Sequence, residues 1–192
     1  MGESREFRTS GVHHLALVCE DMARTVAFYR DTLGFPLVRT IVLPDGSQHF
    51  FFDIGGGNTI AFFWFRKKQA AIAGVSSPQH LPGEGNFSSA SGSMNHVAIT
   101  VPPDKIEEYR DRLVAKGIAV TPIMNHDDSP SQMSRTNHAG VWLRSVYFWD
   151  PDGVLLEFAA WTRQLGPGDA ADDPVDASGV PVPLVSGQAS LA

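Results

Sequence analysis

Two histidines that begin similar apolar runs are the residues whose type and spacing first suggest chemistry. His14 begins "HLALV" and His96 begins "HVAIT". Alternate side chains of a strand share one face, so each histidine heads a face whose next members are small and leave room for a ligand. The matched pair predicts a ligand-binding role for both rings. The alternative is that both are core or rim histidines whose ring nitrogens are hydrogen-bonded within the protein. His13, which aligns with Asn95, is expected only to pack.

A carboxylate in the last apolar run supplies a third group. Glu157 interrupts a run that is otherwise apolar from 154 to 161, and a buried carboxylate must be paired, protonated or bound to a metal. Two neutral imidazoles and one carboxylate can hold a divalent metal and leave coordination positions open. His14, His96 and Glu157 are therefore the predicted ligands, provided that the fold brings their strands together. The alternative is an ion pair of the carboxylate with one of three arginines: Arg39, Arg135 or Arg144.

The elements that must position these groups occur twice along the chain. Each copy is predicted to run strand, helix, strand, strand, strand, which gives an α+β fold of two paired βαβββ modules. In the second copy, "IAVTPIM" is predicted to be the second strand. The predicted divisions are a first module at 11–66, a connector rich in Gly, Ser and Pro at 67–92, a second module at 93–162 and a tail at 163–192, mobile or packed on a partner.

The stretch from 125 to 140 is longer than a simple connection between strands and is long enough to serve as a lid. Its residues His126, Asp127 and Asp128 are expected to be solvated turn residues. Aromatic residues are concentrated in the strands, and most are expected in the core. Alternation puts Phe63 on the same face as Ala61, toward the predicted metal, and an aromatic or apolar substrate suits such a face.

The composition limits the partners and the location. The chain of 192 residues has a net charge of −6, which disfavours nucleic acid and anionic lipid. No apolar run reaches the roughly 18 residues that cross a membrane, and the polar beginning "MGESREFRTSG" is unlike a secretory signal, so a cytoplasmic location is expected. The single cysteine, Cys19, can form no disulfide within the chain and is expected to be a small buried residue.

Three stretches together resemble the vicinal oxygen chelate superfamily, which includes glyoxalases, extradiol ring-cleaving dioxygenases and antibiotic-resistance proteins. They are "HHLALVCEDMARTVAFYRDTLGF", "MNHVAITV" and "YFWDPDGVLLEF", and the resemblance covers about residues 11–162. It implies paired βαβββ modules that form a curled mixed sheet around a metal, with His14, His96 and Glu157 at ligand positions.

The resemblance also implies where further groups of the site would lie. Aligning "NTIAFF" with "VLLEFA" puts Ala61 opposite Glu157, so the fourth ligand of the glyoxalase I pattern is absent. A site with three protein ligands resembles that of the extradiol dioxygenases, in which Fe(II) binds a catecholate and O₂. That pattern implies that Tyr147 and His138 donate hydrogen bonds near the metal; a packed strand tyrosine and a solvated loop histidine are the alternatives. The family's acid-base histidine has only His80 as a nearby counterpart, in a context that does not match.

Three classes of function stay open. An Fe(II) ring-cleaving dioxygenase acting on a catechol-like aromatic leads. A nonredox isomerase, lyase or hydrolase using Zn(II), Mn(II) or Ni(II) is the second, and a small-molecule binding or resistance protein is the third. The expected partner is a small aromatic substrate, without nucleic acid or membrane, and a homodimer is left open.

Overall fold

Two four-stranded sheets form the framework of the chain, of which a computed structural model describes residues 12–67, 70–91, 93–165, 178 and 180. Both sheets lie within one compact unit, 13–163. The first sheet contains β1 (His14–Val18), β2 (Leu37–Val42), β3 (Gln48–Gly55) and β4 (Asn58–Trp64), and the second contains β5 (Val97–Thr100), β6 (Met124–His126), β7 (Leu143–Trp149) and β8 (Leu155–Trp161). The strands lie side by side in the orders β1, β4, β3, β2 and β5, β8, β7, β6. This confirms the predicted α+β fold of two like modules.

A helix follows the first strand of each module. The first, α1 (Met22–Val26), continues as a π-helical segment (Ala27–Thr32), and the second, α2, is Ile106–Ala115. The Asp21 side chain accepts a backbone N–H of the first turn and caps α1. Gly34 follows the π-helical segment with a φ of 80°, a conformation that favours glycine because it has no Cβ. No helix in the described part of the chain is long and apolar enough to cross a membrane.

The second strand of the second module begins later than predicted. The sequence predicts a strand over 118–124, whereas β6 starts at Met124. Pro122 has no N–H to donate and interrupts regular pairing. Before it, the Thr121 N–H donates to the Tyr147 carbonyl, and the Tyr147 N–H donates to the Thr121 hydroxyl. The segment before Pro122 therefore contacts β7 only through individual hydrogen bonds, and regular strand pairing with β7 begins after the proline.

Each sheet buries one face and leaves the other more open. Leu17 of β1 is 8% exposed and Val97 of β5 is 2% exposed, and most buried apolar side chains of both modules belong to one continuous core. On the opposite face of β1, Val18 is 59% exposed. The two open faces are headed by His14 and His96, and we call each of them a site face. Because the buried faces share one core, the site faces point away from it.

A buried carboxylate joins the two modules at the turn before β8. Tyr29, fully buried in the π-helical segment, donates its hydroxyl hydrogen to Asp150 Oδ2 at 3.1 Å. Asp150 Oδ1 accepts the backbone N–H groups of Asp152 and Val154, and burial raises the pKa of Asp150 to about 6. Nearby, Arg24 of α1 pairs with Asp152 at 2.5 Å. These contacts hold the helix of the first module against the last turn of the second.

Candidate metal centre

The second module brings one predicted imidazole and the predicted carboxylate into contact. Glu157 lies in the middle of β8, opposite Ala98 of β5, so its side chain shares the site face with His96. The Nε2 atom of His96 lies 3.1 Å from Oε2 of Glu157, and the His96 side chain is 31% exposed. Two of the three predicted ligands therefore meet at an open surface within one chain.

Hydrogen bonds keep the Glu157 carboxylate ionised despite its burial. Burial alone would raise its pKa, but hydrogen bonds with His96 and Ser145 lower it below the ordinary value. The Ser145 hydroxyl donates to Oε1. Arg144 is not its partner, because this guanidinium donates to Glu107 at 2.6 Å on the other side of β7. An ionised carboxylate beside an imidazole nitrogen is a donor set that fits a divalent metal.

Tyr147 lies directly opposite Glu157 on the neighbouring strand β7. Burial, and then the charge of the Glu157 carboxylate, raise the pKa of Tyr147, so the phenol stays protonated at neutral pH. Its ring meets the His96 ring edge-on, with 5.7 Å between ring centres. The Tyr147 hydroxyl is a neutral donor beside the His96 and Glu157 pair, and its contact with a substrate stays a prediction.

The first module holds His14 apart from this pair. His14 contacts His13, with 2.8 Å between their Nδ1 atoms, and its ring centre lies 5.7 Å from that of Phe51. Among the described residues of a single chain, no three His, Cys, Asp or Glu side chains come close enough to hold a metal ion. One chain therefore presents His14 on one site face and the His96 and Glu157 pair on the other. Coordination of one metal by all three stays a prediction.

Ala61 and Phe63 lie on the first site face, the face that strand alternation assigns to them. Ala61 of β4 lies between Ala16 and Phe51 in the sheet and is fully buried. The Phe63 ring stacks on His49, with 3.6 Å between ring centres. Burial lowers the pKa of His49, and its buried Nε2 has no hydrogen-bond partner among the described residues. The neutral imidazole of His49 and the rings of Phe51 and Phe63 therefore line this face.

The prediction that His126 and Asp127 are solvated turn residues is wrong. His126 is the last residue of β6, and its buried Nε2 has no hydrogen-bond partner in the described part of the chain. Burial lowers the pKa of His126, and the register of β6, β7 and β8 puts His126 on the same face of the sheet as Tyr147 and Glu157. Asp127 is 7% exposed and accepts the Ser129 hydroxyl. The physical reason is that the pairing of β6 with β7 continues to His126, which lies opposite Leu143.

His138 lies with Asp127 rather than with the His96 and Glu157 pair. Its Nδ1 accepts the Gly140 N–H at 3.0 Å, and its Nε2 lies 3.3 Å from Asp127 Oδ2. Because Nδ1 accepts a hydrogen bond, Nε2 carries the hydrogen and donates to the carboxylate. Both ring nitrogens are engaged within the loop that precedes β7, and a contact with substrate stays a prediction.

The connector between the modules packs beside the second site face, which sequence patterning did not reveal. Leu81 is buried against Tyr147, and Phe87 joins the same cluster. The Phe87 ring centre lies 5.9 Å from that of His96. His80 has a buried Nδ1 without a hydrogen-bond partner among the described residues. The connector lacks periodicity, and the one signal of its importance is the pair of bulky apolar residues in an otherwise small and polar stretch.

The chain thus combines paired βαβββ modules with open faces that each carry part of the predicted ligand set. A model of the Glyoxalase/Bleomycin resistance protein/Dioxygenase superfamily matches residues 11–158. The chain belongs to this superfamily, the vicinal oxygen chelate proteins, which depend on divalent metals. The family expected from the sequence is confirmed.

The chain is similar to relatives with different activities. The metallothiol transferase FosB of Lysinibacillus sphaericus (strain C3-41) is 23% identical over 153 residues, which cover 80% of this chain and 84% of the relative. The putative ring-cleaving dioxygenase MhqE of Bacillus subtilis (strain 168) is 25% identical over 118 residues, which cover 59% of this chain and 34% of the relative. The crystal structure of SMU.1112c has a TM-score of 0.54 at 24% identity and covers 79% of this chain and 99% of its own. The likeness to the solved structure shows the fold alone.

Proposed function

We propose that the chain is a metal-dependent enzyme whose centre forms between two copies, and that it cleaves the ring of a catechol-like aromatic with Fe(II) and O₂. The observation that carries the proposal is the contact of His96 Nε2 with Glu157 Oε2, at 3.1 Å, on an open face. His14 occupies the corresponding position on the other site face. Three protein ligands leave positions for the two adjacent oxygens of a catechol.

The shared core is the reason for a second copy. The apolar faces of both modules pack into one cluster, so the two site faces of one chain point outward. Ala16 on one face and Ala98 on the other are exposed. His14 of another copy is the ligand that a two-fold arrangement of like modules would offer to His96 and Glu157. The same arrangement would cover both open faces and build two centres per dimer.

Each side chain has a defined task in this proposal. Bound Fe(II) would supply the redox chemistry of ring cleavage, in which both atoms of O₂ enter the product and no external reductant is consumed. His96 and the ionised Glu157 would hold the metal. Tyr147 keeps its proton and would donate a hydrogen bond to a substrate oxygen. Phe63 and the neutral His49 ring on the facing site face would contact the planar ring and exclude water.

A nonredox reaction with Zn(II), Mn(II) or Ni(II) at the same centre is the second candidate. The alignment with FosB spans 84% of that relative and the alignment with MhqE spans 34%, which favours a small two-module resistance enzyme. Arg39, paired with Phe51 in the first sheet, is a basic residue that an anionic substrate could use. The aromatic rings of His49 and Phe63 support the ring-cleaving reaction instead.

Metal analysis after anaerobic purification, followed by oxygen uptake with a panel of catechols, tests the reaction. Ring cleavage predicts iron in the protein and one O₂ consumed for each catechol. Turnover with Zn(II), Mn(II) or Ni(II) in the absence of O₂ would favour the second candidate. Tight ligand binding without turnover would indicate a binding protein.

Mixing two metal-deficient variants tests the shared centre. His14→Ala and Glu157→Ala should each fail to bind metal as homodimers. Random exchange gives about half mixed dimers, each with one intact centre of two, so about a quarter of the metal binding should return. The double variant mixed with either single variant is the control and should restore nothing. No recovery in the first mixture would rule out a centre shared in this way.

A further inference from the structure

We propose that Asn95 is a positioning residue that decides which nitrogen of His96 is free to bind a metal; the inference rests on the proposed metal centre. The amide oxygen of Asn95 lies 2.9 Å from Nδ1 of His96. The amide nitrogen of Asn95 donates to the Phe87 carbonyl at 3.0 Å and to the Ser89 hydroxyl at 3.2 Å. The connector therefore holds the residue that contacts the ring.

The Phe87 carbonyl settles the orientation of the Asn95 amide. A carbonyl oxygen only accepts hydrogen bonds, so a flipped amide would set two oxygens against each other. The amide oxygen must then face His96, and because it only accepts, the hydrogen of a neutral His96 ring lies on Nδ1. The lone pair of the ring is left on Nε2.

This tautomer gives the contact with Glu157 its chemical meaning. A lone pair on Nε2 and an ionised carboxylate oxygen are two acceptors, and they lie 3.1 Å apart. A cation between them satisfies both: a proton, which makes the hydrogen bond between His96 and Glu157, or a metal ion that replaces it. A neutral imidazole in water, by contrast, more often carries its hydrogen on Nε2. Asn95 therefore prepares His96 as a metal ligand before the metal arrives, in the way that outer hydrogen bonds orient ligating histidines.

The first module repeats the arrangement. Side chains of neighbouring residues point to opposite faces within a strand, but Asn95 and His96 both precede β5, and His13 directly precedes β1. Both neighbours can therefore reach the following ring. His13, which aligns with Asn95, has its Nδ1 2.8 Å from Nδ1 of His14. The residue expected only to pack thus contacts the predicted ligand of its own module.

Nitrogen-15 NMR of the imidazole rings in the metal-free protein reads the tautomer directly. In the neutral form of the ring, His96 of the wild type should carry its hydrogen on Nδ1. Asn95→Ala should shift the neutral ring toward the form with hydrogen on Nε2. Ser89→Ala, which removes one contact to the amide and leaves the Phe87 carbonyl, is the matched control. An unchanged His96 tautomer in Asn95→Ala would overturn the proposal.

Titration with Mn(II), followed by the EPR signal of the free ion, adds a binding readout. Asn95→Ala should weaken Mn(II) binding by about 10- to 100-fold, whereas Ser89→Ala should bind Mn(II) nearly as the wild type does. Wild-type affinity in Asn95→Ala despite an altered tautomer would overturn the inference that this contact serves the metal. Retained binding in His96→Ala would instead refute the proposed metal centre, while the NMR result would still decide the role of Asn95 in orienting the ring.

Discussion

Replacing Asp150 with asparagine should stabilise the protein at neutral pH. The folded state raises the pKa of Asp150 from 3.8 to about 6, chiefly through burial. The folded chain therefore binds this proton more tightly than the unfolded chain, and the free energy of unfolding falls as the pH rises from about 4 to about 6. A shift of about two pKa units corresponds to roughly 3 kcal/mol lost by neutral pH. Asparagine does not titrate and avoids this loss.

The contacts of Asp150 allow the substitution. An asparagine oxygen can accept the N–H groups of Asp152 and Val154 that Oδ1 accepts now, and its NH₂ group can donate to the Tyr29 hydroxyl. Urea unfolding of both proteins at about pH 4 and pH 7.5 should show the difference growing by about 2 to 3 kcal/mol in favour of Asp150→Asn at the higher pH. Tyr29→Phe removes a hydrogen bond that lowers the pKa of Asp150, so it should steepen the dependence. A difference that is independent of pH, or larger at pH 4, would refute the reasoning.

Three further perturbations test the site and the framework. Tyr147→Phe should keep the metal and lower turnover by about 100-fold, because a positioned donor stabilises developing negative charge. Unchanged kinetics would show that Tyr147 serves only in packing. His138→Ala should lower turnover less in the same assay, since both of its ring nitrogens serve its own loop, and a larger loss than in Tyr147→Phe would contradict that view. Arg144→Ala should lower the free energy of unfolding in urea by about 2 kcal/mol, because the buried amide oxygen of Asn125 loses its donor. Arg112→Ala, which breaks an exposed pair with Glu108 and an exposed contact with the Tyr109 ring, is the control and should cost about 1 kcal/mol or less.

Local pattern was enough to predict most of the framework. Alternation and helical spacing predicted both helices and seven of the eight strands within a few residues, because amphipathic periodicity is a local property of the chain. The exception was β6: the apolar residues of 118–124 predicted a strand there, but regular pairing begins only after Pro122. The repeat also identified His96, and the carboxylate that interrupts an apolar run identified Glu157. The register of β5 and β8 places the two together.

The parts that the sequence did not predict depend on contacts between distant segments. The sequences of the two repeats do not indicate which faces pack against each other. The separation of His14 from His96 and Glu157 is therefore evident only from the core that both modules share. The role of Asn95 depends on the Phe87 carbonyl, a backbone atom of a connector without periodicity. The position of His126 on the site face depends on how far β6 pairs with β7, a contact between segments that are distant in the sequence.

The core that both modules share makes them inseparable. Phe52 and Phe62 of the first module and Phe148 of the second have no exposed surface, and all three belong to one cluster. A gene encoding either module alone would yield a product with this apolar face in water, which is a surface prone to aggregation. The repeats can diverge in their ligand positions, as Ala61 and Glu157 do, while the residues of the shared core tie the two modules into one folding unit.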